Sequence, residues 1–289
     1  MTTPHRRWPT ILTLAALLSA QTAALADKSC EASWAKVDSC KSPGDVACLA
    51  PLPVNPDPIA EKWAPGFDYE RQGCLPSAGV SIDGRPNPGI KLGGTTDGHC
   101  AWKNQLPYAN TFYRGKCVTW TKPGESQARA YCAHMYAQYF VKDQTSNGCI
   151  TGKACGHTND WEFGMVWTTD DVLTHASVSQ HSDVDTKKID NIRHQGNRVY
   201  MVYHRNGLTH TMNFAEAGYK PVNPSCTWYT PTIVTWEQMS GSGVANNSYL
   251  HGVLDTHSWG RAIVPFNEVN FVNNIRKGLP KSYPPAALW

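Results

Sequence analysis

Residues 160–167 read DWEFGMVW, and the alternation in this stretch decides the fold class. Trp161, Phe163, Met165 and Trp167 share one parity, while Asp160, Glu162, Gly164 and Val166 share the other. Successive side chains of an extended chain point to opposite faces, so the pattern predicts a strand that buries four large apolar groups and turns two carboxylates the other way. HMYAQYFV (134–141) and RVYMVYH (198–204) are built from the same aromatic and apolar residues. From Gly73 onward such runs recur between Gly, Asn, Asp and Pro, the pattern of an antiparallel, mainly β protein. One helix is expected near the end, where NEVNFVNNIRKG (267–278) sets Val269, Val272 and Ile275 at helical spacing before Gly278, which would cap it.

The ends and the cysteines bound the setting. A chain of 289 residues with 41% hydrophobic content suits one domain of moderate size and excludes disorder and collagen. Lys and Arg number 26 against 23 Asp and Glu, and Arg6 and Arg7 lie in the segment expected to be removed, so no electrostatic footprint for nucleic acid remains. Arg6 and Arg7, an apolar run from Ile11 to Leu18, and the small-residue site Ala24-Leu25-Ala26 predict a signal peptide over 1–26 and a secreted, extracellular protein. Ser19, Gln21 and Thr22 interrupt the run before the roughly 20 apolar residues that a span needs. No transmembrane span is expected. All ten cysteines lie beyond the cleavage site, which allows up to five disulfides in an oxidising compartment, and no CxxC pair points to zinc. Residues 27–72 carry three cysteines and the Pro-rich stretch ACLAPLPVNPDP, read as an extended, disulfide-pinned lead-in to the main domain at 73–289.

GHTNDWE, residues 156–162, gathers His157, Asp160 and Glu162, and Asp143 closes the preceding strand in MYAQYFVKD. One imidazole with several carboxylates is a hard, oxygen-rich donor set, suited to Mg²⁺, with Ca²⁺ or Mn²⁺ as alternatives, better than to zinc. Bunched acids repel by about 1 kcal/mol per pair at 4 Å in water and several-fold more when partly buried, which a cation relieves. The expected site is a solvent-facing rim whose carboxylates can be replaced without harm to the fold. The bland alternative is a group of surface residues satisfied by solvent. Beside it, Cys149 and Cys155 either close a small ring or pair elsewhere. His181 in SVSQHSD and His210 in NGLTHTMNF are the further histidines of interest.

At this heptapeptide the chain resembles the necrosis- and ethylene-inducing-peptide-like proteins, whose hallmark reads GHRHDWE. The resemblance extends to the Cys74-to-Cys100 segment, to MYAQYFVKD, to SVSQH and to SWGRAIVPFNEVNF (258–271). It implies a β-sandwich with a few peripheral helices, similar to actinoporins and lectins, and a Cys74–Cys100 disulfide. Asp143, His157, Asp160 and Glu162 fall on the family's divalent-cation ligands. Thr158, Asn159, His181 and His210 become neighbours of the ion or contacts for a bound ligand. Toxic members bind the sugar headgroup of a plant membrane sphingolipid and permeabilise the membrane, so the implied activity is that of a secreted, monomeric toxin or virulence factor rather than an enzyme. Thr158 and Asn159 depart from the hallmark Arg and His, which favours the alternative of a lectin-like binder or immune elicitor without cytolysis. A metal-dependent hydrolase is the third reading, and no GxSxG or HExxH signature supports it.

Overall fold

The strand pattern is realised in a computed structural model that describes residues 28–41, 45–55, 57–149 and 155–289, so the expected signal at 1–26 lies outside the described residues. Among them the strands are β1 (Gly66–Tyr69), β2 (Asn110–Trp120), β3 (Arg129–Gln144), β4 (Gly156–Thr169), β5 (Val172–Gln180), β6 (Asp183–Lys188), β7 (His194–Gln195), β8 (Arg198–Asn206), β9 (Thr209–Phe214) and β10 (Thr232–Thr235). They form a six-stranded sheet in the order β10-β2-β3-β4-β5-β6 and a smaller sheet in which β8 pairs with β1, β7 and β9. The expectation of an antiparallel protein needs one correction. Segments far apart in the chain add parallel pairs at two places, β1 to β8 and β10 to β2.

The two sheets stack as a sandwich. The even-numbered face of β4 and its partners on β3 meet the small sheet: Phe140 stacks on Tyr203 with centroids 3.8 Å apart, and Tyr69 donates to Gln138 at 3.1 Å. Gly164 is required at this seam, because a Cβ there would run into the sulfur of Met201. The odd-numbered face is covered by the C-terminal part of the chain. Trp161 packs against Trp259 and Phe266, and Trp167 against Tyr283 and Trp289. Both faces of β4 are therefore buried, and the carboxylates of DWEFGMVW do not point to solvent as the bare alternation predicts.

Helices are few and short: α1 (Lys28–Trp34), α2 (Pro58–Lys62), α3 (Asn247–Thr256) and α4 (Glu268–Gly278). The expected terminal helix is α4, opened by an Asn267 cap that accepts from the amide of Asn270. It buries Phe271, Ile275 and Gly278, while Val269 is exposed. Gly278 serves packing rather than a left-handed cap, since a Cβ would stand 2.7 Å from the Met165 methyl and 2.9 Å from Val184.

The lead-in is less extended than its prolines suggest. Pro58 opens α2, where a missing amide proton is tolerated and Asp57 caps the first turn. β1 also comes from this segment. Disulfides join Cys30 to Cys226, Cys40 to Cys48, Cys74 to Cys100, Cys117 to Cys132 and Cys149 to Cys155, leaving no free cysteine. The first ties α1 onto the body, where the Trp34 indole also donates to the Val222 carbonyl at 2.7 Å.

Trp161→Ala is expected to remove the centre of the aromatic cluster formed with Phe112, Tyr139, Trp259 and Phe266. The loss should be about 3–5 kcal/mol in urea denaturation, and a loss below about 1 kcal/mol would contradict this packing.

Candidate functional site

The end of β3 and the start of β4 bring the chemistry together. Asp143 sits directly opposite His157 in the antiparallel register, with Asp143 Oδ2 3.7 Å from His157 Nε2. Gly156 permits this approach: its φ is +128°, and a Cβ there would overlap the Asp143 carbonyl oxygen. Strict alternation would place His157 on the opposite face from Asp160 and Glu162. The residue between them, Asn159, adopts a left-handed φ of +60° that asparagine tolerates better than most residues, and the pleat is broken there. As a result Asp143, His157, Asp160 and Glu162 all line one cavity of about 660 Å³.

The site is not a rim. Asp143, Asp160 and Glu162 are 1%, 6% and 5% exposed, so the expectation of solvent-facing carboxylates is corrected: they form the floor of the cavity. Each is held by a hydrogen-bond donor from another strand. Asp143 Oδ1 accepts from the His210 amide at 3.0 Å and from its Nδ1–H at 2.6 Å. Tyr203 donates to Asp160 Oδ2 at 3.0 Å, and Ser179 donates to Glu162. Removing Asp143 would thus orphan two buried donors, at about 1–3 kcal/mol each, and the idea that these acids can be deleted without harm fails for this one.

Electrostatics sharpen the picture. Burial, followed by the charge of Asp143, raises Asp160 to about 7. Burial, followed by Asp160, raises Glu162 as well. His157 Nδ1 lies 2.6 Å from the Asn159 carbonyl, which can only accept, so in the neutral ring the proton is inferred to sit on Nδ1 and Nε2 keeps its lone pair. Asp143 Oδ2 is buried without a hydrogen-bond partner. A free imidazole nitrogen, an orphaned carboxylate oxygen and two further carboxylates make a donor set that fits a hard cation. The side chains stand around the cavity without closing on one point: among the described residues, no group of three or more His, Cys, Asp or Glu is arranged to hold an ion.

The remaining sequence candidates divide. His181 is exposed at the cavity mouth, with Nδ1 2.8 Å from the Thr209 hydroxyl. His210 also lines the cavity, buried beside Asp143 and stacked on Tyr203. Thr158 and Asn159 do not line the cavity, and Asn159 turns inward, accepting from Tyr139 and donating to the Trp259 carbonyl. Cys149 and Cys155 do form a ring, and Thr145, four residues before it, donates its amide to the Cys155 carbonyl and its hydroxyl to the Leu208 carbonyl. Sequence reasoning missed Tyr203 and Ser179, whose only signal was the parity of RVYMVYH and SVSQH. It also missed Arg261, Asn273 and Lys277, which line the same cavity.

A family model described as Necrosis inducing protein (NPP1) matches residues 57–278. NLP effector protein 2 of Plasmopara viticola is 26% identical over 253 residues, covering 80% of this chain and 94% of the relative. NLP effector protein 2 of Phytophthora capsici is 27% identical over 249 residues, covering 80% and 82%. Among solved structures, the non-toxic HaNLP3 protein superposes with a TM-score of 0.61 at 24% identity, covering 82% of this chain and 100% of that one. NLPPya in complex with mannosamine gives 0.61 at 24%, covering 80% and 97%. At such identities the structural likeness speaks for the fold.

Two outcomes are expected. Gly156→Ala should force β3 and β4 apart beside Asp143 and lower the unfolding midpoint measurably, more than Gly196→Ala, where the added methyl meets nothing within 4 Å and only the backbone turn is strained. The second concerns pH. An acid whose folded pKa is raised contributes most to stability below its unfolded value, here 3.8, and loses that contribution as pH rises through about 7. In chelator, the unfolding midpoint should therefore fall between pH 4 and 7, and fall less in Asp160→Asn. An equally steep fall in that variant would contradict the placement of Asp160.

Proposed function

The chain belongs to the necrosis inducing protein (NPP1) family, and from that membership we propose that it is a secreted effector of the toxin type which binds a divalent cation and a membrane glycolipid headgroup. Asp143, His157, Asp160 and Glu162 would hold the cation, Mg²⁺ by the hardness of the donors, with Ca²⁺ or Mn²⁺ as substitutes. When bound, the ion supplies open coordination positions to sugar hydroxyls. The protein's own part is to keep the donors gathered and partly desolvated. Tyr203, Ser179 and His210 orient the carboxylates, and the Asn159 carbonyl holds the His157 proton away from the cavity.

The observation that carries this reading is the cavity floor. Burial, and then the charge of Asp143 on Asp160 and of Asp160 on Glu162, makes these acids costly to ionise, and a cation is the simplest species that relieves them. A sugar as partner is supported by NLPPya, a structural relative solved with mannosamine and with glucosamine. Five disulfides suit an extracellular protein. No helix among the described residues is long and apolar enough to cross a membrane.

One observation favours a second reading, a glycan binder or elicitor without cytolysis. Thr158 and Asn159 replace the hallmark's Arg and His, and Asn159 is spent on internal hydrogen bonds. HaNLP3, described as non-toxic, has the same fold.

Calorimetric titration with Mg²⁺ and Ca²⁺ should give a single site in the intact chain and none in Asp160→Ala or Glu162→Ala, both checked for folding. Unchanged affinity in both would defeat the assignment. Dye release from vesicles of the sphingolipid-rich plant plasma membrane then separates the readings, since binding without leakage establishes the second.

A further inference from the structure

Two stretches of the chain read Asn-X-Ser, the acceptor pattern for N-linked glycosylation, and the fold treats them oppositely. In Asn223-Pro224-Ser225 the middle residue is proline, which the pattern excludes. The amide there is also consumed: Asn223 is fully buried, and its Nδ2 donates to Asp68 at 2.5 Å and to the Thr227 carbonyl at 2.7 Å. Asn246-Asn247-Ser248 is the reverse case. It opens α3, and both Asn246 and Ser248 are exposed. Asn246 Oδ1 accepts from the Tyr249 amide at 3.0 Å as the cap of the helix, whereas its Nδ2 makes no hydrogen bond among the described residues. Capping uses the oxygen and glycosylation uses the nitrogen, so the two do not compete. An N-linked sugar replaces one Nδ2 proton and leaves the carbonyl oxygen free to accept.

The surroundings suit an attached sugar. Val244, whose carbonyl accepts from the Asn246 amide, is 67% exposed, and Tyr249 is 43% exposed. The Tyr249 ring lies beside Gly84, where an added Cβ would come within 2.6 Å of it. An aromatic ring next to the acceptor offers a face on which the apolar side of a sugar can rest. The acceptor also stands apart from the carboxylate cavity, which no residue between 211 and 260 lines. Resting on the secreted reading above, we propose that Asn246 is a glycosylation site, modified during export. The donor is a lipid-diphosphate-linked oligosaccharide. Asn246 Nδ2 forms a bond to the anomeric carbon while the bond from that carbon to the diphosphate oxygen breaks. The lipid diphosphate leaves with the electron pair, and Nδ2 gives one proton to a base of the transferase. The glycan then covers Val244 and Tyr249 at the start of α3.

The test expresses the full chain, from Met1, in a yeast secretory host and treats the product with a peptide N-glycosidase. Secreted wild-type protein should lose the mass of a single glycan on treatment, and peptide mass spectrometry should place the modification on Asn246. Neither Asn246→Gln nor Ser248→Ala should carry the glycan. Ser248→Ala is the decisive variant, because it keeps Asn246 and its cap, and its secretion shows that the fold survives. Secreted wild-type chain without the mass loss overturns the site, as does a glycan that persists in Ser248→Ala or one found on Asn223. Chain that is absent from the medium and unmodified inside the cells overturns the secretory reading itself, and the site falls with it.

Discussion

Three carboxylates confined between stacked sheets repel one another, and the architecture around them exists to keep them there. Asp143, Asp160 and Glu162 come from two adjacent strands of the large sheet, yet their hydrogen-bond donors arrive from β9, β8 and β5. Two of those three strands belong to the small sheet. The cavity floor therefore depends on the sandwich closing, and the closure at Gly164 and Met201 is as much a part of the site as any donor atom. Desolvation and the charge of a neighbouring carboxylate push Asp160 and Glu162 toward protonation, and the hydroxyl donors Tyr203 and Ser179 push back. A balance of that kind leaves the floor receptive to positive charge.

Much of this was legible in the chain, and what was hidden has a common cause. Alternation in DWEFGMVW located β4 and paired Asp160 with Glu162 on one face. It could not disclose that the C-terminal segment from Trp259 to Trp289 covers the other face, because that cover is assembled from residues a hundred positions away. Period-2 reasoning also separates His157 from the acids, and only the left-handed turn at Asn159 reunites them. The burial of Asp143 was invisible for the same reason, its partner His210 being 67 positions downstream. Helical spacing found α4 but misjudged its inner face, choosing Val269 where Phe271 is buried. Local periodicity reports an element, whereas its surroundings are set by contacts between distant elements.

Thr158 and Asn159 gain meaning in that light. Read against the family hallmark they look like losses of a cation and an imidazole. In three dimensions Asn159 does structural work: its backbone bends β4, its carbonyl engages His157, and its side chain ties Tyr139 to the Trp259 segment. Glycine at position 89 is constrained in turn, since a Cβ there would crowd Asn159 and Thr158. The divergence thus lies in how the loop is braced, while Asp143, His157, Asp160 and Glu162 are retained.

The bridge between Cys30 and Cys226 spans 196 positions, whereas the other four close over separations of 6 to 26. In order of synthesis the first of these thiols appears near the beginning and its mate only after most of the polypeptide has been made. Every intervening thiol has a close neighbour with which to pair, and short rings close more readily than long ones. The local bridges thereby withdraw competitors from circulation, and the two ends of the long one are left to find each other once the sheets have stacked. By loop-closure entropy alone the long bridge is therefore the costliest of the five to close, and it is the one that fastens the amino-terminal extension to the body.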